Sequence, residues 1–333
     1  MGATFVTGGS GVVGRALVER LRAERRDVIA LARSPSAARV LEALGARPET
    51  GDVLDAPSLA RAMMGCETAY HVAGVNALCL HNPEELYQVN VTGTLNVVRA
   101  AGREGVRRVV YTSSAATLGE AAGSIGDERT AHRGWYLSHY EHSKHEAEKT
   151  AFSAGAQEGV EVVSVNPSSV QGPGRAGGTT RILRAFLDGG LRFFVDVNVS
   201  LVDVRDCAEG HLLAELKGAP GERYVLNGAT VSARRAIDVV GSIAGISERP
   251  RPVSPRAAMG AAAGVEAATR LLARRAPVCR EMMRTLLFGH AYDGSRAERE
   301  LGLVYRPIEE TLRRAVEWLV EEGLVERAFP SPL

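Results

Sequence analysis

Short apolar runs alternate with amphipathic stretches along the first two thirds of the chain. Ala3 to Thr7 and Asp27 to Ala32 are nearly continuous apolar runs of strand length, the pattern of strands buried on both faces. Between them Arg15 to Glu24 predicts a helix, with Ala16, Leu17, Val18 and Leu21 on its inner side. A third strand ends before Gly51, a fourth leads through Ala69-Tyr70-His71 to Ala73-Gly74, a fifth covers Arg107 to Thr112 and a sixth Val160 to Val165. Pro83 to Arg103 and Tyr140 to Gln157 predict long helices, and the polar Ala121 to Ser138 predicts a loop. Further on, Thr179 to Leu187 reads as helix, Val195 to Val204 as strand, Arg205 to Leu216 as helix and Arg223 to Leu226 as the last sheet strand. Ser232 to Ala244, Ala257 to Arg275, Val278 to Phe288 and Ile308 to Glu322 then read as helices with irregular links.

Strands alternating with helices predict an α/β fold with a doubly wound parallel sheet. The helical C-terminal third predicts a smaller lobe over the carboxyl ends of the strands. The expected division is residues 1–170 plus about 198–228 for a dinucleotide-binding Rossmann domain, and 171–197 plus 229–333 for a substrate-binding lobe.

The turn after the first strand carries the decisive glycines. Gly9, Gly11 and Gly14 fit GxGxxG, and Thr7, Gly8, Gly11 and Gly14 fit TGxxGxxG. Missing side chains let the backbone of Gly8, Ser10, Gly11, Val12, Val13 and Gly14 approach a pyrophosphate, whose charge sits at the following helix N-terminus. The second strand ends in Leu31-Ala32-Arg33-Ser34 without the acid that holds a ribose 2′-hydroxyl. Arg33 there favours a 2′-phosphate, hence NADP(H) over NAD(H), with Arg39 placed to assist. Asp52 and Val53 follow the third strand beside the expected adenine, where Asp52 can accept from an amino group; Asp55 suits a helix N-cap. The small Ala73 and Gly74 leave room for the cofactor, and His71 reads as a packed strand residue. Asn90 is the polar exception on an inner helix stripe, either bonded to a neighbour or ordering water. Thr112, and the turn Asn166-Pro167-Ser168-Ser169, fall at strand ends that face the nicotinamide.

Tyr140 and Lys144 lie one helical turn apart and point to the same side. A free tyrosine, with a pKa near 10, is a poor base at neutral pH. A neighbouring ammonium favours the phenolate and makes it a usable proton donor or acceptor. Lys144 also suits nicotinamide ribose hydroxyls, and Ser114, after the fifth strand, suits a substrate oxygen on which charge develops. Ser114, Tyr140 and Lys144 are thus the candidate catalytic set for moving a hydride and a proton at a carbinol carbon.

Composition narrows this picture. The chain has 333 residues, 45% hydrophobic and 24% charged, with 40 basic and 39 acidic residues for a net charge of +1. Such balance argues against nucleic acid or a polybasic membrane contact. Ala257 to Ala273 is the nearest approach to a membrane segment, but Glu266 and Arg270 interrupt it, so it reads as an Ala-rich helix covering a pocket. Cys66, Cys79, Cys207 and Cys279 form no CxxC pair, which predicts neither zinc nor disulfides but free thiols in a reducing cytosol. The first strand begins at once, with no secretory signal expected.

In this order, the glycine loop, Asp52, Asn90-Val91-Thr92-Gly93-Thr94, Tyr111-Thr112-Ser113-Ser114, Tyr140-xxx-Lys144, Asn166-Pro167, Asp293-Gly294-Ser295-Arg296-Ala297 and Tyr305-Arg306-Pro307 resemble the extended short-chain dehydrogenase/reductases, the NAD-dependent epimerase/dehydratase family. Glu85 to Asn90, Val110 to Gly119 and Ala208 to Leu213 resemble its dihydroflavonol-reductase-like group, including the hopanoid-associated sugar epimerases. The resemblance implies Ser114, not Ser113, as the catalytic hydroxyl, and a homodimer through the helices containing Asn90 and Tyr140. Leu201 to Asp206 departs from the aromatic–Ile–His run of nucleotide-sugar epimerases. The leading expectation is therefore an NADP(H)-dependent cytoplasmic oxidoreductase interconverting a ketone and a secondary alcohol on a small molecule. Its alternatives are a sugar epimerase or dehydratase with tightly bound NAD, and a non-catalytic cofactor-binding sensor.

Overall fold

A computed structural model describes residues 2–174, 177–272 and 276–326. Its first half runs β1 (Ala3–Thr7), α1 (Val12–Ala23), β2 (Val28–Ala32), α2 (Pro35–Ala43), β3 (Arg47–Thr50), α3 (Ala56–Met63), β4 (Cys66–His71), α4 (Glu84–Tyr87), α5 (Gly93–Arg103), β5 (Arg108–Thr112), β6 (Ile125–Gly126) and α6 (His139–Glu158). The second half runs β7 (Glu161–Pro167), β8 (Ser169–Gln171), α7 (Thr180–Leu187), β9 (Phe193–Phe194), β10 (Asn198–Asp203), α8 (Val204–Lys217), β11 (Arg223–Leu226), β12 (Ala229–Ser232) and α9 (Ala233–Ala244). It closes with β13 (Arg251–Pro252), α10 (Pro255–Leu271), α11 (Arg280–Phe288), β14 (Ala291–Tyr292) and α12 (Ile308–Glu321).

Seven parallel strands form the main sheet in the order β11-β7-β5-β4-β1-β2-β3. The order reverses between β1 and β4, and the crevice outside their carboxyl ends is where such sheets bind ligands. One buried cluster fills the face covered by α1 and α8, with Val6, Leu17, Val110 and Leu212 among its members. Another fills the face covered by α3, α5 and α6, with Phe5, Leu59, Val97 and Ala151. A third core, from Phe186, Val240, Leu312 and Leu319, joins α7, α9 and α12. The apolar runs of β1, β2 and β5 are buried on both faces, as expected for central parallel strands.

Several local expectations change. The first helix starts earlier, at Val12, because Gly11 already serves as its N-cap. Pro83 to Arg103 is not one α-helix: a π-helical turn at Gln88–Thr92 separates α4 from α5. Such an insertion shifts which side chains face inward, and here Asn90 is buried. Asp55 stands at the N-cap of α3 without a side-chain bond to it. The helix expected over Ala257 to Arg275 ends at Leu271, and residues 273–275 lie outside the described residues. Among the described residues no helix is long and apolar enough to cross a membrane, and no group of three or more His, Cys, Asp or Glu side chains is arranged to hold a metal ion.

The expectation of four free thiols is corrected. Cys79 and Cys279 form a disulfide with their Cα atoms 5.8 Å apart, while Cys66 and Cys207 are free and buried. The two bonded residues are 200 positions apart, so no spacing rule could pair them; only the folding of α11 over the loop after β4 does.

Candidate active site

The glycine loop is shaped by contacts that admit no side chain. Gly8 has a φ of +69°, and a Cβ there would lie 2.5 Å from the Ala73 nitrogen. A Cβ on Gly14 would meet the Gly8 carbonyl oxygen at 2.1 Å. The loop therefore lies flat against the end of β4 and turns directly into α1. That helix has neither a side-chain cap bond nor an acid in its first turn. Its first N–H groups, around Val12 and Val13, face an open N-terminus suited to an anion. Ser10 is half-buried on the same turn, and its carbonyl accepts from Arg15 Nε at 2.8 Å.

His71 ties the ends of β1 and β4 to α5. Thr94 Oγ1 lies 2.5 Å from the Asn90 carbonyl and donates to it, so it accepts from His71 Nε2 at 3.0 Å. Nδ1 then accepts from Thr7 Oγ1 at 2.8 Å, and Thr7 Oγ1 in turn accepts the Ala73 N–H at 3.2 Å. Complete burial pushes the His71 pKa down to about 3, with Lys144 adding to the shift. The residue is a neutral strut, as a packed strand residue should be. Asn90 bonds to neighbours: Oδ1 accepts from Val75 N–H at 2.7 Å, while Nδ2 donates to the Val75 carbonyl at 3.0 Å and Ser143 Oγ at 2.9 Å. This holds the chain beyond Gly74 against α6, and Gly74 itself sits so close that a Cβ would reach Asn90 Oδ1 at 3.2 Å.

At the outer edge Arg33 is exposed and lies 4.0 Å from Asp52 Oδ2. Asp52 Oδ1 accepts from the Leu54 N–H at 2.9 Å. Val53 is buried against Gly93, so only its backbone is available to a ligand. Ser34 caps α2 by accepting from the Ala37 N–H at 3.2 Å and bonds Ser36 at 2.9 Å. These two hydroxyls beside Arg33 were not singled out from the sequence, although Ser34-Pro35 is a recognisable helix start.

Where β5 and α6 meet, Lys144 reaches across to the strand. Lys144 is buried, and its Nζ donates to Tyr111 Oη at 2.8 Å and to the Thr112 carbonyl at 2.7 Å. The ammonium also lies 4.5 Å from the centre of the Tyr111 ring. Burial brings the Lys144 pKa down to about 7, and Glu148 pulls it back up. Tyr140, one turn earlier on α6, is half-buried. Thr112 enters through its carbonyl, and its hydroxyl lies 2.7 Å from His211 Nε2. Ser113 is buried and its Oγ finds no partner, whereas Ser114 is half-buried at the start of a 3-10 turn, Ala115–Leu118. Ser114 Oγ accepts the Ala116 N–H at 3.3 Å, which leaves its own hydrogen available to a substrate oxygen. Pro167 ends β7, and Ser169 Oγ accepts from Gln171 Nε2 at 2.9 Å.

A cavity of about 570 Å³ opens beside the first turn of α6, between Leu80, His81, Leu137, His139 and the pair α10–α11. The disulfide lies in its wall. Glu281 closes it further: Oε2 accepts the Cys79 N–H and Oε1 the His139 N–H, both at 2.8 Å. The loop before α6 is pinned by buried charge. Arg133 pairs with Glu141 and packs between Trp135 and Phe288 at 4.7 and 4.8 Å. His290 Nδ1 lies 2.5 Å from Glu120 Oε1.

The model of the NAD dependent epimerase/dehydratase family matches residues 4–226. The chain belongs to this family. It is 34% identical to a dihydroflavonol 4-reductase-like protein of Synechocystis sp., covering 97% of this chain and 96% of that one. It is 32% identical to sterol demethylase protein B of Methylococcus capsulatus, covering 97% and 99%. Among solved structures, that of gox2253 matches with a TM-score of 0.85 and 29% identity, over 97% of this chain and 99% of the other. The protein is an NAD(P)-dependent oxidoreductase of the extended short-chain dehydrogenase/reductase type, acting on a small molecule.

Proposed function

We propose that the protein is an NADP(H)-dependent reductase, or in reverse a dehydrogenase, that interconverts a ketone and a secondary alcohol. The observation that carries this reading is the seating of Lys144. Two of its three donors are spent on Tyr111 and the Thr112 carbonyl, which leaves one for a ribose hydroxyl or Tyr140. Burial holds its pKa near neutrality, at about 7, so its charge responds to what binds beside it. In this reading Tyr140 gives or takes the proton, Ser114 holds the substrate oxygen, and the nicotinamide supplies or accepts the hydride. The loop of Gly8 to Gly14 would hold the pyrophosphate, Ala73, Gly74, Thr112, Pro167 and Ser169 would border the nicotinamide, and Asp52 and Val53 the adenine. Residues 171–197 and 229–333 serve as the substrate lobe.

NADP(H) is favoured over NAD(H) by Arg33, Ser34 and Ser36, which together offer a guanidinium and two hydroxyls for a 2′-phosphate. The names of the relatives, a reductase-like protein and a sterol demethylase component, favour net redox chemistry on a compact ring system. Incubation with excess NADPH and a panel of cyclic ketones tests the reading. Net NADPH consumption is expected. Purified protein carrying tight NAD, with no net consumption, would instead make it an epimerase or dehydratase. Arg33→Asp is expected to weaken NADPH at least about tenfold more than NADH; equal loss removes Arg33 from the site.

A further inference from the structure

We propose that Glu148 is a positioning residue of this reaction: from one turn away its buried carboxylate favours the ammonium form of Lys144, and it fixes the turn that presents Ser114. The proposal rests on the roles given above to Lys144 and Ser114. Glu148 follows Lys144 by one turn on the same face of α6 and is 5% exposed. A buried carboxylate requires donors, and these come from three other elements. Oε2 accepts from Asn166 Nδ2 at 2.5 Å and Ser164 Oγ at 3.2 Å on β7, and from Thr117 Oγ1 at 3.4 Å on the 3-10 turn. Oε1 lies 3.1 Å from Arg223 on β11.

The same web reaches the catalytic turn. Asn166 Nδ2 is 3.3 Å from the Ser114 carbonyl and 3.0 Å from Thr117 Oγ1. Thr117 Oγ1 lies 2.8 Å from the same carbonyl, and His145 Nδ1, from α6, lies 3.1 Å from the Thr117 carbonyl. The Ser114 carbonyl is therefore tied through Asn166 and Thr117 to the Glu148 carboxylate, while the Ser114 hydroxyl accepts the Ala116 N–H.

The charge balance around Lys144 explains why an acid stands there. Its neighbours are Tyr111 and the Thr112 carbonyl on β5, the neutral His71 on β4, and Tyr140 and Glu148 on α6. Among these Glu148 is the one carboxyl group. Arg223, on its other side, partly cancels it. Substituting either partner should therefore move Lys144 in opposite directions.

The test uses the intact protein with lysines carbon-13 labelled at Cε and followed by NMR from pH 5 to pH 10. The chain has only three lysines, Lys144, Lys149 and Lys217, so each signal is assigned by single substitution. Glu148→Gln keeps the shape and an acceptor; it is expected to lower the Lys144 midpoint by about one pH unit or more. Arg223→Gln, which leaves the carboxylate less neutralised, is expected to raise it. Lys149 and Lys217 are expected to stay in place. If Glu148→Gln does not fold, Arg223→Gln still reports the sign. An unmoved Lys144 midpoint in either folded variant, or a shift in the opposite direction, overturns the proposal. The titration needs no substrate, so that outcome leaves the reductase reading standing. A wild-type enzyme that titrates as expected but consumes no NADPH overturns the reductase reading instead.

Discussion

At the carboxyl ends of β1, β4 and β5, buried side chains are locked by hydrogen bonds from every side. Over the same site α11 has no buried residue at all. His71, Asn90, Lys144 and Glu148 each bond groups on other elements. Among the described residues the α10–α11 pair buries only Ala258, Ala262 and the Cys279 that precedes α11. Its ties to the rest of the fold include the Cys79–Cys279 bond, the Glu281 carboxylate and the packing of Arg133 on Phe288. A floor that must keep a proton donor and a cofactor in register needs many contacts. A segment with few buried contacts is of the kind that opens locally.

The comparison can be broken at the floor first. Tyr140→Phe removes only the phenol hydrogen bond and proton, so turnover is expected to fall by about 10²–10⁴-fold while NADPH still binds. Residual activity near wild type, measured by NADPH absorbance, would remove Tyr140 from the chemistry. Gly14→Ala places a methyl against three backbone atoms of the loop, and backbone cannot yield as a side chain can. We expect a loss of about 1–3 kcal/mol of stability together with NADPH binding too weak to titrate, read by denaturant melts and calorimetry.

The cover should respond differently. Cys279 also caps α11, its Sγ accepting the Met282 N–H at 3.5 Å. Cys279→Ser keeps that cap, since serine is a good N-cap residue, and removes the disulfide alone. Stability is expected to fall by about 2–4 kcal/mol, and KM to rise more than kcat falls. A drop in kcat with KM unchanged would mean that the hairpin acts on the chemistry itself. The smallest effect concerns pH. His71 and His211 are neutral in the fold because burial lowers them to about 3 and about 4 from 6.5. Between pH 6.5 and those values the unfolded chain binds more protons, so stability declines as pH falls through this window. Urea midpoints at pH 7 and pH 5 should show the decline, and His71→Asn should lessen it.

The same contrast explains what the sequence disclosed. Strands, the glycine loop and the Tyr140–Lys144 spacing are local patterns whose period or spacing carries the geometry. The reach of Lys144 to the Thr112 carbonyl follows from its helix facing the end of β5. By contrast, Glu281 bonds an N–H 202 residues earlier, Thr112 turns its hydroxyl to His211 across 99 residues, and the disulfide closes over 200. Nothing periodic marks such contacts. The π-helical turn at Gln88–Thr92 was hidden for another reason: the segments on either side of it both read as helix, and no residue type marks the wider turn between them. Cysteine counting failed because it reads pairs from spacing and compartment, and this pair is made by tertiary approach.

The central claim is hydride transfer between NADPH and a ketone at a site where Tyr140 supplies the proton. NADPH deuterated at the transferring position of C4, given with an accepted cyclic ketone, tests it directly. Mass spectrometry and NMR of the product should show one deuterium on the carbinol carbon, formed by the wild-type enzyme and lost with Tyr140→Phe. Product formed without deuterium, or deuterium transfer that survives Tyr140→Phe at full rate, would contradict the account.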